Sequence, residues 1–299
     1  MLLLAVPNVS EGSDEGLLER LGAAFSAPPG VTLLDTHADA DHGRAVFTLA
    51  GEPGPLEEGL AQGTEEALET IDMSAYGGAH PAVGAVDVCP LVWLDPGGEA
   101  AARTAAVAVA AQIGGLGIPV FLYGELARDP SRTERAYFRN GGLAELWLRM
   151  EAGELRPDFG PSGPHPKAGA TLVTARPPLA AFNVELDTGD VEIARAVAAG
   201  LRESGGGLPG VRAIGLVLGS GRAQVSTNVH DPLAVPLGRV VEAVRELAAP
   251  LGARPLEAEL VGLIPALALE GYPADVSMRG FDPARHVIER CLESPGGGV

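Results

Sequence analysis

Residues 2–6 form a short apolar run, and residues 14–25 follow with Leu17, Leu18, Leu21 and Phe25 at the spacing of one helical face. A strand and then a helix are expected. Residues 31–35 and 45–50 read as two strands, residues 53–71 as a helix opening on proline, and residues 85–94 as a further strand. The order is β-α-β-β-α-β.

A Pro- and Gly-rich stretch, residues 157–169, is followed by the same order again. Residues 181–186 read as a strand, 191–202 as a helix, 212–218 and 224–230 as strands, 235–248 as a helix and 258–265 as a strand. The two halves repeat a pattern and not a sequence. Each such unit is the split βαβ, ferredoxin-like arrangement, an antiparallel sheet with helices on one face. Between the halves, residues 99–113 read as an Ala-rich helix, 119–123 as a strand and 132–150 as one or two polar-faced helices, all extending the first half. The expected class is α/β (α+β): two tandem ferredoxin-like βαββαβ subdomains, residues 1–176 and 177–299, with their sheets facing across a ligand cleft. The Gly-rich tail, residues 294–299, is expected to fray.

Composition narrows the partners. The 299 residues are 46% hydrophobic, with 41 Gly and 25 Pro, a globular composition with many short connections. A net charge of −18 repels phosphate backbones and anionic lipids, so neither nucleic acid nor a membrane is expected as a partner. An anionic small molecule needs a local basic cluster to override that field, which makes the placement of twenty Arg and the single Lys, Lys167, diagnostic. Cys89 and Cys291 are too few to staple the chain and lack CxxC spacing, and the N-terminal run lacks a basic leader, so a cytoplasmic location is expected. Residues 104–124 carry no charge, but Gly114, Gly115, Gly117 and Pro119 interrupt them, as in a buried helix followed by a central strand.

Three segments carry candidate chemistry. His80 lies in Gly77-Gly78-Ala79-His80-Pro81, a stiffened turn leading into the strand Gly84-Ala85-Val86-Asp87-Val88-Cys89-Pro90, where an imidazole is placed for acid/base work. Asp35, His37, Asp39, Asp41 and His42 offer either a divalent-metal site or a hydrogen-bonded acidic turn. Gly43 argues that the strand stops short of bringing them to one face, so the turn is preferred and no metal is expected. The third segment is Pro157-Asp158-Phe159-Gly160-Pro161-Ser162-Gly163-Pro164-His165-Pro166-Lys167-Ala168-Gly169, a rigid irregular stretch that is either a linker between the halves or, through the Lys167 ammonium within residues 160–169, a contact for a carboxylate-bearing ligand. No GxGxxG or GxxxxGK[ST] stands between a strand and a helix, which removes the usual nucleotide signatures.

Several strings together resemble the formiminotransferase domain of glutamate formiminotransferases and formiminotransferase-cyclodeaminases. They are Val6-Pro7-Asn8-Val9-Ser10-Glu11-Gly12, Ile71-Asp72-Met73, His80-Pro81, the strand around Asp87, Leu122-Tyr123-Gly124-Glu125, Pro157-Asp158-Phe159-Gly160-Pro161, Gln224-Val225-Ser226-Thr227-Asn228 and Glu259-Leu260-Val261-Gly262-Leu263-Ile264-Pro265. They run in order along nearly the whole chain, with no room for the cyclodeaminase part. The resemblance implies a homodimer with a folate site between two ferredoxin-like sheets, His80 as the catalytic histidine and residues 160–169 as the folate-binding loop. It implies transfer of a formimino group from N-formimino-L-glutamate to tetrahydrofolate, with Arg44 as the candidate carboxylate contact. Asn8, Asp35, His37, Asp39 and His42 are supporting polar residues. Two other readings stay open: a folate-binding protein without turnover, and a metal-dependent formimino-group hydrolase using residues 37–42.

Overall fold

The computed structural model describes residues 1–40, 43–77 and 82–293. His80, with Gly78, Ala79 and Pro81, lies outside the described residues, as do Asp41, His42 and the tail 294–299. The chain forms two compact units, Met1–Arg176 and Pro177–Val299.

In the first unit the order is β1 (Leu3–Ala5), β2 (Asn8–Val9), α1 (Glu15–Phe25), β3 (Thr32–Asp39), β4 (Arg44–Gly51), α2 (Pro53–Thr70), β5 (Val86–Trp93), α3 (Glu99–Gly115), β6 (Val120–Leu122), α4 (Ala136–Arg139), α5 (Gly142–Glu151) and β7 (Thr171–Arg176). Helix α1 starts where the Asp14 carboxylate accepts the Leu17 N–H at 2.9 Å, an N-cap, and α2 starts on Pro53, whose missing N–H costs nothing there. Strands β1 and β2 are two pieces of one line, each antiparallel to both β4 and β5. The sheet therefore runs β3, β4, the β1/β2 line, β5, β7, β6, with β5, β7 and β6 mutually parallel.

Four sequence expectations change here. β3 does not stop at Asp35 but pairs with β4 as far as Asp39 opposite Arg44. β6 is the last strand of the sheet, not a central one; it is nonetheless buried, because residues 158–159 bond along its free side and both its faces are covered. β7 is a strand the periodicity hid: Thr171 and Thr174 break its apolar run, yet each is only 1% exposed because β7 lies between two parallel neighbours. Finally, helices do not keep to one face. Cys89, Leu122 and Val173 pack with Ala106, Val109 and Ile113 of α3, whereas Val88, Phe121 and Leu172 pack with Phe138, Leu146 and Met150 from α4 and α5.

The second unit follows the expected order: β8 (Ala180–Leu186), α6 (Val191–Leu201), β9 (Val211–Val217), β10 (Ala223–Val229), α7 (Leu237–Ala248) and β11 (Pro255–Val261), then β12 (Ser277–Met278), α8 (Pro283–His286) and α9 (Ile288–Glu293). Its sheet runs β12-β11-β8-β10-β9. β11 ends at Val261, before the expected residue 265, because Gly262 turns the chain at φ +80°. Phe182, Val184 and Leu186 alternate into a core shared with α6 and α7. Their neighbour Asn183 belongs to a polar cross-strand row, accepting from Ser226 Oγ at 2.8 Å and donating to Glu259 at 3.1 Å.

Candidate active site

Residues 82–85, which follow His80-Pro81, are stitched down from several sides. The Val83 N–H donates to Asp87 Oδ1 at 2.7 Å, and the Val83 carbonyl accepts the Ala170 N–H at 2.8 Å. Ser10 Oγ donates to the Gly84 carbonyl at 2.7 Å, and the Ala85 N–H donates to the Ala168 carbonyl at 2.9 Å. The segment after His80 is thus bonded to the end of the loop 160–169, two elements that the sequence offers only as separate candidates. Two glycines permit the approach. A Cβ on Gly84 would stand 1.9 Å from the Ala170 carbonyl oxygen, and Gly169 at φ +70° faces the Val83 carbonyl with room for no side chain.

The loop has a fixed base and an open tip. Asp158 anchors its start by accepting the Leu122 N–H at 2.8 Å, while its own N–H bonds the Val120 carbonyl at 2.8 Å. At its end, His165 Nδ1 accepts the Ala168 N–H at 2.9 Å, and the Gly169 N–H returns to the His165 carbonyl at 2.9 Å. Pro161, Ser162 and Gly163 are exposed, whereas Ala168 and Gly169 are buried. Lys167, expected to offer its ammonium to a ligand, donates through Nζ to the carbonyl of Glu69 in the last turn of α2. A cation suits that place, where the helix leaves carbonyls unbonded and carries partial negative charge. The Met73 N–H completes the clip by donating to the Lys167 carbonyl at 2.8 Å.

Strand β3 reaches Asp39, so Asp35, His37 and Asp39 alternate onto one face, in cross-strand rows with Thr48, Val46 and Arg44; Asn8 of β2 also lies opposite Val46. Ala45, Phe47 and Leu49 point the other way, into the core with α1 and α2. Of the acidic turn expected over residues 35–42, residues 35–39 are therefore an extended edge strand, and Asp41 and His42 lie outside the described residues. No group of three His, Cys, Asp or Glu with metal-binding geometry occurs among the described residues. A hollow of about 420 Å³ is lined by Ser10, Glu11, Gly43, Asp72, Tyr76 and Gly77, the last of them three residues before His80.

Arg44 belongs to a larger basic cluster. The charges of Arg139 and Arg135 act on it, together with those of Asp39 and Asp87; burial and then Arg139 hold its guanidinium below the ordinary arginine range. Desolvation lowers Arg176, at the end of β7, to about 10, so it stays cationic at neutral pH, and Tyr123 and Arg135 are the other groups acting on it. Burial raises the Tyr76 and Tyr123 phenols; the Asp87 charge adds to both shifts, and arginines of the cluster oppose them. Asp87 Oδ2 accepts a close hydrogen bond from Arg139 Nη2, and Arg139 Nε is buried with no hydrogen-bond partner among the described residues. Arg44 thus feels Arg135, Arg139, Asp39 and Asp87, and Arg176 feels Arg135, in a chain of net charge −18. Arg135, Arg139 and Arg176 escape sequence reasoning: two read as the polar face of a helix and one as linker. The signal available was the four-residue spacing of Arg135 and Arg139. Burial pushes the Cys89 thiol up to about 12, which removes it as a nucleophile.

The first of two α+β units carries a braced glycine and proline loop and a set of arginines whose charges act on one another. The chain belongs to the formiminotransferase family: residues 2–176 match the formiminotransferase domain, N-terminal subdomain, and residues 181–272 match the formiminotransferase domain. It is 38% identical over 293 residues to a glutamate formimidoyltransferase of Streptococcus pyogenes, covering 96% of this chain and 97% of that one. A glutamate formimidoyltransferase of Thermoplasma acidophilum is 36% identical, covering 98% and 97%. A formimidoyltransferase-cyclodeaminase of Gallus gallus is 40% identical over 276 residues, where the match takes up 90% of this chain and 51% of the longer protein. Among the described residues, no helix is long and apolar enough to cross a membrane.

Proposed function

We propose that this chain is a glutamate formimidoyltransferase that moves the formimino group of N-formimino-L-glutamate to tetrahydrofolate. The observation that carries the reading is the full-length similarity to glutamate formimidoyltransferases; Arg44, Arg135 and Arg139, whose charges act on one another, offer cationic partners for a donor with two carboxylates. The loop 160–169, with its braced base and exposed tip, is the folate-binding element, and Arg44 is a carboxylate contact.

His80 is the acid/base group. Attack of the folate nitrogen N5 on the formimino carbon forms one C–N bond, and His80 takes the proton that nitrogen loses. The imidazolium returns a proton to the glutamate nitrogen as its C–N bond breaks, so free glutamate leaves and the histidine is neutral again. Holding both partners in line supplies much of the remaining acceleration.

Residues 1–176 and 177–299 serve as the N- and C-terminal formiminotransferase subdomains. The ferredoxin-like reading of both is supported by strand order: β11-β8-β10-β9 in the second unit, and β3, β4, β1/β2, β5 in the first. Action as a homodimer rests on the family resemblance, and action in the cytoplasm on the sparse cysteines.

The test is formimino transfer measured with and without tetrahydrofolate and with and without a chelator. Folate-dependent, chelator-insensitive turnover is expected, falling about a hundredfold or more in His80→Ala with folate affinity retained. Tight folate binding without turnover, or chelator-sensitive release of the group to water, would replace this reading. Unchanged turnover in His80→Ala would remove that residue from the mechanism.

A further inference from the structure

Asp87 is 3% exposed, and both of its carboxylate oxygens are engaged. Oδ1 accepts the Val83 N–H at 2.7 Å, three residues beyond His80; Oδ2 accepts from Arg139 of the arginine cluster. A buried ion pair is a poor device for stability alone, since apolar groups of similar volume usually serve as well or better. Here the pair joins two places that the proposed reaction must keep in register, the backbone three residues beyond the acid/base residue and a guanidinium whose charge acts on Arg44.

We propose that Asp87 is a positioning residue: one oxygen fixes the segment that follows His80, and the other fixes the Arg139 guanidinium within the cluster that receives the donor's carboxylates. This rests on the function proposed above and adds the link between its two halves. Asp87→Asn keeps an oxygen for the Val83 N–H but turns a neutral group toward Arg139. Asp87→Ala removes both contacts. The two variants therefore separate the two jobs.

The test uses the full chain. In Asp87→Asn, kcat/KM for the donor is expected to fall roughly tenfold to a hundredfold, mainly through donor KM, with amide exchange at Val83 unchanged. In Asp87→Ala, exchange at Val83 is expected to quicken at least about tenfold and kcat to fall as well. Arg139→Gln combined with Asp87→Asn should lose little more than the worse single variant, because both act on one contact. Should Asp87→Ala fail to fold, Asp87→Asn and the double variant still decide. Donor kinetics within twofold of wild type in Asp87→Asn, or single losses that multiply in the double variant, would overturn the proposal; so would equal Val83 exchange in a folded Asp87→Ala protein. A wild-type protein that transfers nothing overturns the function instead, and Val83 exchange together with glutamate binding then judges Asp87 alone.

Discussion

Gly84→Ala tests whether the seam between the His80 segment and the loop holds the site together. The added Cβ would stand 1.9 Å from the Ala170 carbonyl oxygen and 2.8 Å from its carbon, both backbone atoms that no rotamer change can move. Restoring an ordinary C···O separation of about 3.3 Å requires the two segments to part by roughly 1.4 Å. At that separation neither the hydrogen bond from Ala170 N–H to Val83 O nor that from Ala85 N–H to Ala168 O, now 2.8 and 2.9 Å, survives. Losing two such bonds costs about 1–3 kcal/mol, and overpacking of a closed backbone contact adds about 1–3 kcal/mol. The expected loss is therefore about 2–6 kcal/mol by urea denaturation. A shift of this size beside an acid/base group also predicts turnover lower by about a hundredfold in whatever protein remains folded. Gly163→Ala, in the loop on the other side of the seam, is the control, because its Cβ would meet nothing within 4 Å; its stability should stay within about 0.5 kcal/mol of wild type. Equal stability and turnover in Gly84→Ala and Gly163→Ala would refute the idea that the seam is what positions the segment.

Lys167→Ala removes a cation from the C-terminal turn of α2, so it should lower thermal stability in the absence of any ligand, with a loss of about 0.3–1 kcal/mol. A variant with wild-type melting but weaker binding of folates with long glutamate tails would restore the ligand role that the sequence implied. Asp187 is bonded by the backbone N–H of Arg254 at 2.9 Å and by its guanidinium Nε at 2.8 Å; the backbone bond first, and the side chain after it, hold the carboxyl below its usual range. A depressed folded pKa gives stability above the unfolded value, about 3.9, that is lost as pH falls through the folded value; Asp187→Asn should therefore melt with a smaller loss between pH 5 and about pH 3 than wild type. An identical acid dependence would show that this carboxylate is not coupled to folding.

What could be read from the chain and what could not divide along a physical line. Helices α1 and α2 and strands β1, β4 and β5 were legible because each buries one face, or two apolar faces, against its own unit and so writes its period into the sequence. β7 was not, because a strand between parallel neighbours can bury threonine as readily as valine once their hydroxyls find a carbonyl; Thr174 Oγ1 reaches the Tyr123 carbonyl at 2.7 Å. β6 was legible as a strand but not as the last one, since rank in a sheet depends on partners distant in sequence. The single lysine stands out in the sequence, but its bond to the Glu69 carbonyl does not, for that partner lies 98 residues away.

The same distinction separates the two layers of the site. The proposed reactive and binding groups leave local traces: His80 between glycines and proline, Arg44 ending an acidic run, a loop dense in proline. Their supports leave fewer, because Ser10, Asp87, Arg139 and Ala168 reach segments 52 to 83 residues away through hydrogen bonds that the sequence does not show. Glycine is the partial exception. Gly84 and Gly169 appear in the sequence as two residues among 41, yet they are where two backbones touch, and an alanine at either would report the contact by destroying it. In a protein of this build, the glycines that face another backbone carry more information about the site than those that merely turn the chain.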